Sequence, residues 1–177
     1  MILQTEKRCI IIAEAGVNHN GDLGMAKELI RQAAEAGDPN ALLHLARFHQ
    51  DGTILEHNDQ QAFLLLLQAA KRDLAEAQYL LARAFQEGRG TPADDGAAFY
   101  WYRQAAFRHH PRALLELGRC HLEGSGTAAD PEQAETFLTL ALENGVEEAR
   151  GLLTRAQNRI KLPKARETPK LRLAPER

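Results

Sequence analysis

The sequence repeats with a step of 36 residues, and this period constrains the fold more than any other feature. Alanines recur along three columns, leucines along a fourth and glycines along a fifth. The columns are Ala41, Ala77, Ala113 and Ala149; Ala62, Ala98 and Ala134; Ala69, Ala105 and Ala141; Leu45, Leu81, Leu117 and Leu153; and Gly52, Gly88 and Gly124. Self-similarity at a period of about 20–50 residues is typical of stacked repeat proteins, in which no unit buries its apolar face alone. We therefore expect the function to lie on a surface that the stack presents, and not in a single catalytic pocket.

Each unit is predicted to contain two helices, A and B. Apolar residues at helical spacing, such as Ala77, Leu81 and Phe85, indicate the buried face of helix A. The glycine column follows that face, where a left-handed C-terminal cap favours glycine. Helix A is predicted over 40–50, 76–87, 112–123 and 147–159, and helix B over 59–72, 95–108 and 131–144. Hydrophobic residues make up 44% of the chain and aromatic ones 6%, so the apolar content is mostly Ala and Leu, which favours helix over sheet. The predicted fold class is all-α, an α/α solenoid.

The columns also predict how the layers pack. Alanines where helices A and B cross allow the two helices to approach closely, and this crossing must recur in every layer. We expect Leu65, Trp101 and Phe137, which share one column, to supply the bulk of each layer as core residues. We expect Gly90 and Gly126, the second glycines of two A-to-B loops, to loosen those loops.

Residues 38–160 resemble a known repeat family. The second copy, "AQYLLARAFQEGRGTPADDGAAFYWYRQAA", carries the pattern of alanine, leucine, paired glycines, aspartate and paired alanines in the family's order. This pattern is similar to the Sel-one-like repeat (SLR), a 36-residue relative of the tetratricopeptide repeat. The resemblance implies an α/α solenoid whose relatives act as adaptors and scaffolds for protein complexes. It implies no reaction.

Residues 10–37 carry a different resemblance. The string "IIIAEAGVNHNGDLGMAKELIRQAAEAG" is similar to the opening strand, loop and first helix of sialic acid synthases, (β/α)-barrel enzymes that join phosphoenolpyruvate to an N-acylmannosamine. By that resemblance Glu14 corresponds to the glutamate that contacts the sugar, and Asn18, His19 and Asn20 lie at the mouth of the active site. The likeness ends at Gly37, and one βα unit of eight cannot build the catalytic face of a barrel. We expect no catalysis by this chain alone.

The synthase-like helix, predicted over 22–36, is in register with the repeats. A step of 36 residues back from the helix B columns reaches Ala26 and Ala33. We therefore expect this helix, with Asp22 as its N-cap, to pack on the first full repeat as an N-terminal cap. We expect residues 9–13 to be irregular or drawn into a helix against that layer. The predicted domains are residues 1–37, the solenoid over 38–160, and a disordered basic, proline-containing tail over 161–177.

A row of arginines is the best candidate for a binding site. Arg47, Arg83, Arg119 and Arg155 stand 36 residues apart, one on each helix A. Along one face of the stack, such guanidinium groups could hold an acidic peptide, a terminal carboxylate or a phosphate. The alternative is that each arginine pairs with a neighbouring acid such as Glu76, Glu116 or Glu148, or stays solvated. We include His44 among the predicted contacts, with Glu116 interrupting the basic stripe.

Composition and spacing argue against several other functions. The net charge of -2 and the pI of about 6.4 provide no global attraction to nucleic acid or anionic membrane. Cys9 and Cys120 are far apart in sequence, which favours reduced thiols and a cytoplasmic location. His44 and His49 do not share a helix face, and no acid or cysteine completes a metal-binding set. We expect no metal, no cofactor and no membrane span.

Three functions remain in view. The first is a non-catalytic adaptor or scaffold that binds a protein or acidic peptide through a concave helix A face. The alternative is a fragment or fusion of a sialic acid or related nonulosonic acid synthase with a regulatory or pathway-associated role. The third is a structural protein that self-associates through the ends of the solenoid.

Overall fold

Eight α-helices and the turns between them form the part of the chain that the computed structural model describes, residues 23–52 and 54–161. They are α1 (Leu23–Glu35), α2 (Pro39–Asp51), α3 (Asp59–Ala70), α4 (Ala75–Glu87), α5 (Asp95–Phe107), α6 (Pro111–Glu123), α7 (Pro131–Glu143) and α8 (Ala149–Lys161). Each helix packs on the helix before it and the helix after it. The A helices of the repeats are α2, α4, α6 and α8, and the B helices are α3, α5 and α7. The predicted all-α solenoid is confirmed.

The helix ends form where cap residues occur. Asn58, Asp94 and Asp130 accept hydrogen bonds from backbone N–H groups in the first turns of α3, α5 and α7. The bounds that differ by two residues from the prediction are the end of α3 and both ends of α8. The start of α8 has a local cause. There the N–H groups of Ala149 and Arg150 bond to the carbonyls of Val146 and Glu147, which makes a tight turn before regular helix begins.

The turns from helix B to helix A share a left-handed residue at one repeated position. Its φ is 85° at Gly37, 66° at Asp73, 57° at His109 and 82° at Gly145. At His109 the preceding arginine reaches back one layer: Arg108 Nε donates to the carbonyl of Asp73 at 3.1 Å. The layers are therefore joined at their turns as well as through their apolar faces.

The alanine columns lie in the core, but the predicted bulky column is wrong by one residue. The side chains that fill each layer are Leu66, Tyr102 and Leu138, all 0% exposed. Leu65, Trp101 and Phe137 are only half-buried and pack against the edge of the core. Consecutive side chains on a helix point in directions about 100° apart. The predicted column therefore points away from the space between the A helices.

The second glycines of the loops serve close packing, which corrects the expectation that they loosen the chain. A Cβ at Gly90 would collide with the carbonyl of Asp59 and approach Cβ of Phe63, both on α3 of the preceding layer. Gly126 has the same relationship to Asp95 and Phe99 on α5. Each of these loops therefore rests against the first turn of the preceding helix B, in a space that only glycine allows.

Helix α1 packs on the first full repeat. Ile30, Ala33 and Ala34 are 2%, 4% and 8% exposed and belong to one apolar cluster with Ala41 and Leu42 of α2. Ala33 thus occupies a buried position in the column of Ala69 and Ala105. The predicted cap Asp22, the side chain of Ala26, residues 9–13 and the tail beyond Lys161 lie outside the described residues.

None of the helices in the described ranges is both long enough and apolar enough to cross a lipid bilayer.

Candidate functional site: the arginines of the A helices

The four predicted arginines lie one on each of α2, α4, α6 and α8. We call the surface formed by Arg47, Arg83, Arg119, Arg155 and His44 the helix A face. The side chains of the arginines are 43%, 39%, 43% and 56% exposed, in chain order. Each of the four lies within 4 Å of a carboxylate, so the structure contains the acid pairs of the alternative interpretation. The pairs differ in quality along the stack.

The first arginine is tied firmly to the next layer. Arg47 Nη2 on α2 donates to Glu76 Oε1 on α4 at 2.6 Å. The other oxygen of the same carboxylate, Oε2, lies 2.8 Å from Nε2 of His110. The hydrogen bond from His110, together with the charge of Arg47, holds the pKa of Glu76 below its usual value despite partial burial. One glutamate therefore links three successive layers.

His110 combines this link with a helix cap. Its Nδ1 accepts a hydrogen bond from the backbone N–H of Ala113 at 3.2 Å and so caps α6. Because a backbone amide can only donate, the ring proton lies on Nε2, which donates to Glu76. The ring also stacks on Tyr79, with centroids 4.7 Å apart. The sequence interpretation missed this role, although His110-Pro111 occupies the same repeat position as the cap Asp38-Pro39.

The second arginine forms an ion pair within its own helix. Arg83 donates from Nε and Nη2 to Glu87 Oε1, at 3.1 and 2.6 Å. The other oxygen of Glu87 accepts from Arg89 Nε at 2.9 Å. The guanidinium of Arg83 is thus held by a carboxylate that a second arginine also fixes.

The third and fourth arginines are held loosely. Arg119 Nε lies 3.3 Å from Glu116 Oε2, but the geometry is not that of a hydrogen bond, and this Nε is buried without a hydrogen-bond partner in the part described. Burial raises the pKa of Glu116, whose side chain is 18% exposed. Arg155 lies 3.8 Å from Glu123 on the preceding helix A, and not beside Glu148. The C-terminal half of the helix A face is therefore its open half.

His44 lies one turn before Arg47 on α2 and is half-buried. Burial and the neighbouring charge of Arg47 lower its pKa below that of free histidine. Neutral imidazole can donate or accept a hydrogen bond, so His44 can serve as a polar contact at the tied end of the face.

The remaining predicted site residues, Glu14, Asn18, His19 and Asn20, lie outside the described residues. Across residues 23–52 and 54–161, no group of three or more His, Cys, Asp or Glu side chains is placed to hold a metal ion.

Comparison with known proteins identifies the repeats. The family model described as "Sel1 repeat" matches residues 14–38, 39–74, 75–106 and 111–146. The chain belongs to the Sel1 repeat family. The match at residues 14–38 extends the Sel1 repeats into the segment that resembles a synthase.

Solved structures of Sel1 repeat proteins share the fold. The Sel1 repeat protein from Oxalobacter formigenes is 34% identical with a TM-score of 0.66, over 71% of this chain and 94% of that one. A protective antigen of uropathogenic Escherichia coli with an SLR fold is 26% identical with a TM-score of 0.66, over 75% of this chain and 33% of that one. Cysteine-rich protein B of Helicobacter pylori, 23% identical with a TM-score of 0.58 over 78% of this chain and 99% of that one, shares the fold.

The synthase resemblance is confirmed over a short stretch. N,N'-diacetyllegionaminic acid synthase of Campylobacter jejuni is 68% identical over 31 residues, and the enzyme of that name from Legionella pneumophila is 72% identical over 29 residues. These stretches make up 18% and 16% of this chain. They span only 9% and 8% of the two synthases.

Proposed function

We propose that this Sel1 repeat protein is a non-catalytic adaptor that binds a protein partner through the helix A face. The observation that carries the proposal is a row of four half-exposed guanidinium groups repeated in register with the fold. Ion pairs join A helices of successive layers, as in Arg47–Glu76 and Arg155–Glu123. Such ion pairs require the A helices of neighbouring layers to lie close together. We therefore infer that the A helices form the concave side of the solenoid.

The quality of the ion pairs indicates where a partner binds. A ligand that took Arg47 or Arg83 would have to displace a carboxylate at 2.6 Å that other groups also hold. Arg119 and Arg155 have only loose pairs, and exposed pairs of this kind contribute little stability. We therefore place the binding site at Arg119 and Arg155, where a carboxylate of the partner can form the bidentate hydrogen bonds that the protein's own acids do not.

The charge of α8 supports an acidic partner. This helix carries Arg150, Arg155, Arg159 and Lys161 and no acidic residue, while the chain as a whole has a net charge of -2. Positive charge is thus concentrated at the C-terminal end of the stack, next to the two open arginines. An acidic peptide segment would be attracted to this end at low ionic strength and less so at high salt.

The test compares two matched double variants in affinity capture with quantitative identification of the bound proteins. Arg119→Gln/Arg155→Gln removes the open arginines, and Arg47→Gln/Arg83→Gln removes the tied ones. Circular dichroism first establishes that both variants are folded. We expect the first variant to lose, by at least tenfold, a set of proteins that the wild type and the second variant retain. The same proteins bound equally by all three would contradict the helix A face as the binding surface.

A second candidate function rests on the N-terminal identity to legionaminic acid synthases. We propose that the segment retains, at most, an association with that pathway and that the chain does not catalyse the condensation. One βα unit cannot form the catalytic face of a barrel, which supports the absence of turnover. The assay incubates the protein with phosphoenolpyruvate, N-acetylmannosamine and Mn²⁺ and measures phosphate release. We expect no release above the protein-free rate; turnover proportional to protein concentration would overturn the non-catalytic assignment. We propose that the protein acts in the cytoplasm.

A further inference from the structure

A groove of about 580 Å³ lies at the N-terminal end of the described helices, where α1 packs on the first full repeat. It runs between α1, α2 and α3. Leu45 and Phe48 of α2, Leu55 of the following loop and Leu65 of α3 supply its apolar wall, while Lys27 and Arg31 of α1 form part of its rim. The groove is apolar at its floor and charged at its edge.

The groove is present because α1 lacks an aromatic residue that α3 and α5 have. Phe63 on α3 meets Phe85 of the next layer edge to face at 5.2 Å, and Phe99 on α5 meets His121 at 5.3 Å. The equivalent position on α1, 36 residues before Phe63, is Lys27. A lysine side chain does not supply the flat apolar area of a phenyl ring there.

The leucine column is also less buried in the first layer than in the interior layers. Leu81 and Leu117 are 0% and 1% exposed in the interior layers, whereas Leu45 in the first layer is half-buried. The loop of the first layer also differs, because Ile54 stands where Gly90 and Gly126 allow the later loops to rest on the preceding helix B. The interior layers are therefore closed by their own residues, whereas the first layer is left open.

We propose that the aliphatic run Ile10–Ile12 of the chain's own N-terminal segment occupies this groove. Gly24, in the first turn of α1, and Lys27, one turn later, line the groove, so the start of α1 lies at its rim. Ten residues separate Ile12 from Leu23 and can span about 33 Å when extended. A tethered segment at this distance has an effective concentration in the millimolar range, which favours it over a free partner.

The residues that flank the run suit the rim. Lys7 and Arg8 precede the isoleucines, and Glu14 follows them. The rim carries both signs, with Glu28 and Glu35 beside Arg31 at 3.6 and 3.9 Å in exposed pairs. These weak pairs can rearrange to meet the flanking charges.

The native Cys9, next to Ile10, allows a direct test by disulfide trapping. Gln68→Cys places a thiol on α3 at the groove, and Gln104→Cys places one at the equivalent position of α5, in the layer where Phe63 meets Phe85. Cys120 does not compete in this reaction, because it is buried and burial raises its pKa to about 12. Each variant is oxidised with glutathione disulfide under native conditions, and the intrachain bridge to Cys9 is measured by mass spectrometry of non-reduced peptides.

We expect the bridge to Cys9 to form at least tenfold faster in the Gln68→Cys variant than in the Gln104→Cys variant. Adding Ile11→Asp to the Gln68→Cys variant should reduce its rate to that of the control, since a carboxylate is costly to bury in the apolar floor. Equal rates at the two positions, or a rate unchanged by Ile11→Asp, would overturn the proposal. Bridges found only in disulfide-linked dimers would overturn it in favour of a second copy of the chain as the occupant.

Discussion

Glu76 and His110 are joined by a 2.8 Å hydrogen bond between Oε2 and Nε2, although they begin successive A helices 34 residues apart. The same carboxylate holds Arg47 of the preceding layer. A single acidic side chain thus connects three layers of a solenoid in which most contacts join only sequential helices.

Glu76→Gln should weaken the stack in a pH-dependent way. The folded-state pKa of Glu76 is lowered from about 4.5, so its stabilisation is present above that value and is lost as the pH falls through the folded pKa. Because the side chain is partly exposed, we expect a loss of only about 0.5 kcal/mol at pH 7. Urea unfolding at pH 7 and at pH 3.5 measures both effects: the variant should lie below the wild type at pH 7, and by a smaller difference at pH 3.5.

Glu148→Gln is the matched control for this prediction. Glu148 occupies the same repeat position two layers later and is exposed. Its substitution should leave the free energy of unfolding unchanged at both pH values. An equal loss for Glu76→Gln and Glu148→Gln would mean that net charge, and not the link between layers, determines the effect.

Gln78→Leu should stabilise the protein. Gln78 is 1% exposed; its Nε2 donates to the carbonyl of Ala70, but its Oε1 is buried without a hydrogen-bond partner among the described residues. The carbonyl of Ala70 also accepts from the N–H of Asp73, so it remains bonded in the variant. Leu42 and Leu114 already occupy this column. We expect a gain of about 1 kcal/mol in the free energy of unfolding by urea denaturation. A loss of that size would show that the amide has a partner essential to the layer.

Gly90→Ala and Gly145→Ala should differ sharply, although both glycines have positive φ angles, 71° and 82°. Nothing lies within 4 Å of a Cβ at Gly145, so alanine there costs only the left-handed strain of about 1 kcal/mol. At Gly90 the added Cβ meets the backbone of Asp59 in the preceding layer, and we expect about 3 kcal/mol in total. Thermal unfolding of the two variants measures the difference; equal costs would mean that the loop does not rest on α3.

His121→Phe should flatten the pH dependence of stability. Burial lowers the pKa of His121 from about 6.5, because its ring packs between Phe99 and Phe137. The folded state therefore favours neutral imidazole: its stabilisation is complete above pH 6.5 and declines as the pH falls toward the folded pKa. Phe85 shows that the column accepts phenylalanine. We expect the variant to lose less stability than the wild type between pH 7 and pH 5 in urea unfolding. A steeper loss would assign the pH dependence to other groups.

The 36-residue period predicted the helices because it reports features local to each unit, such as the Asp94 cap and the Gly88 terminus. It did not predict which bulky column fills the core. Trp101 is larger than Tyr102, and size suggested the wrong one, whereas the phase of the helix places Tyr102 between the A helices.

The hydrogen bond between Glu76 and His110 depends on how closely two layers approach, which no single unit of sequence specifies. The difference between tied and loose arginines likewise depends on which acid each guanidinium reaches in three dimensions. The groove, in contrast, could have been found in the sequence, since Lys27 falls in the column of Phe63 and Phe99.

The glycine contacts between layers have a mechanical consequence. Gly90 and Gly126 bring the second and third loops against α3 and α5, while Ile54 carries a side chain that does not allow the same close approach to α1. Under tension applied through the two ends of the chain, the joint between α1 and the rest of the stack is therefore the weakest one. The solenoid would open there first: α1 would separate from the stack while the interior layers stay packed.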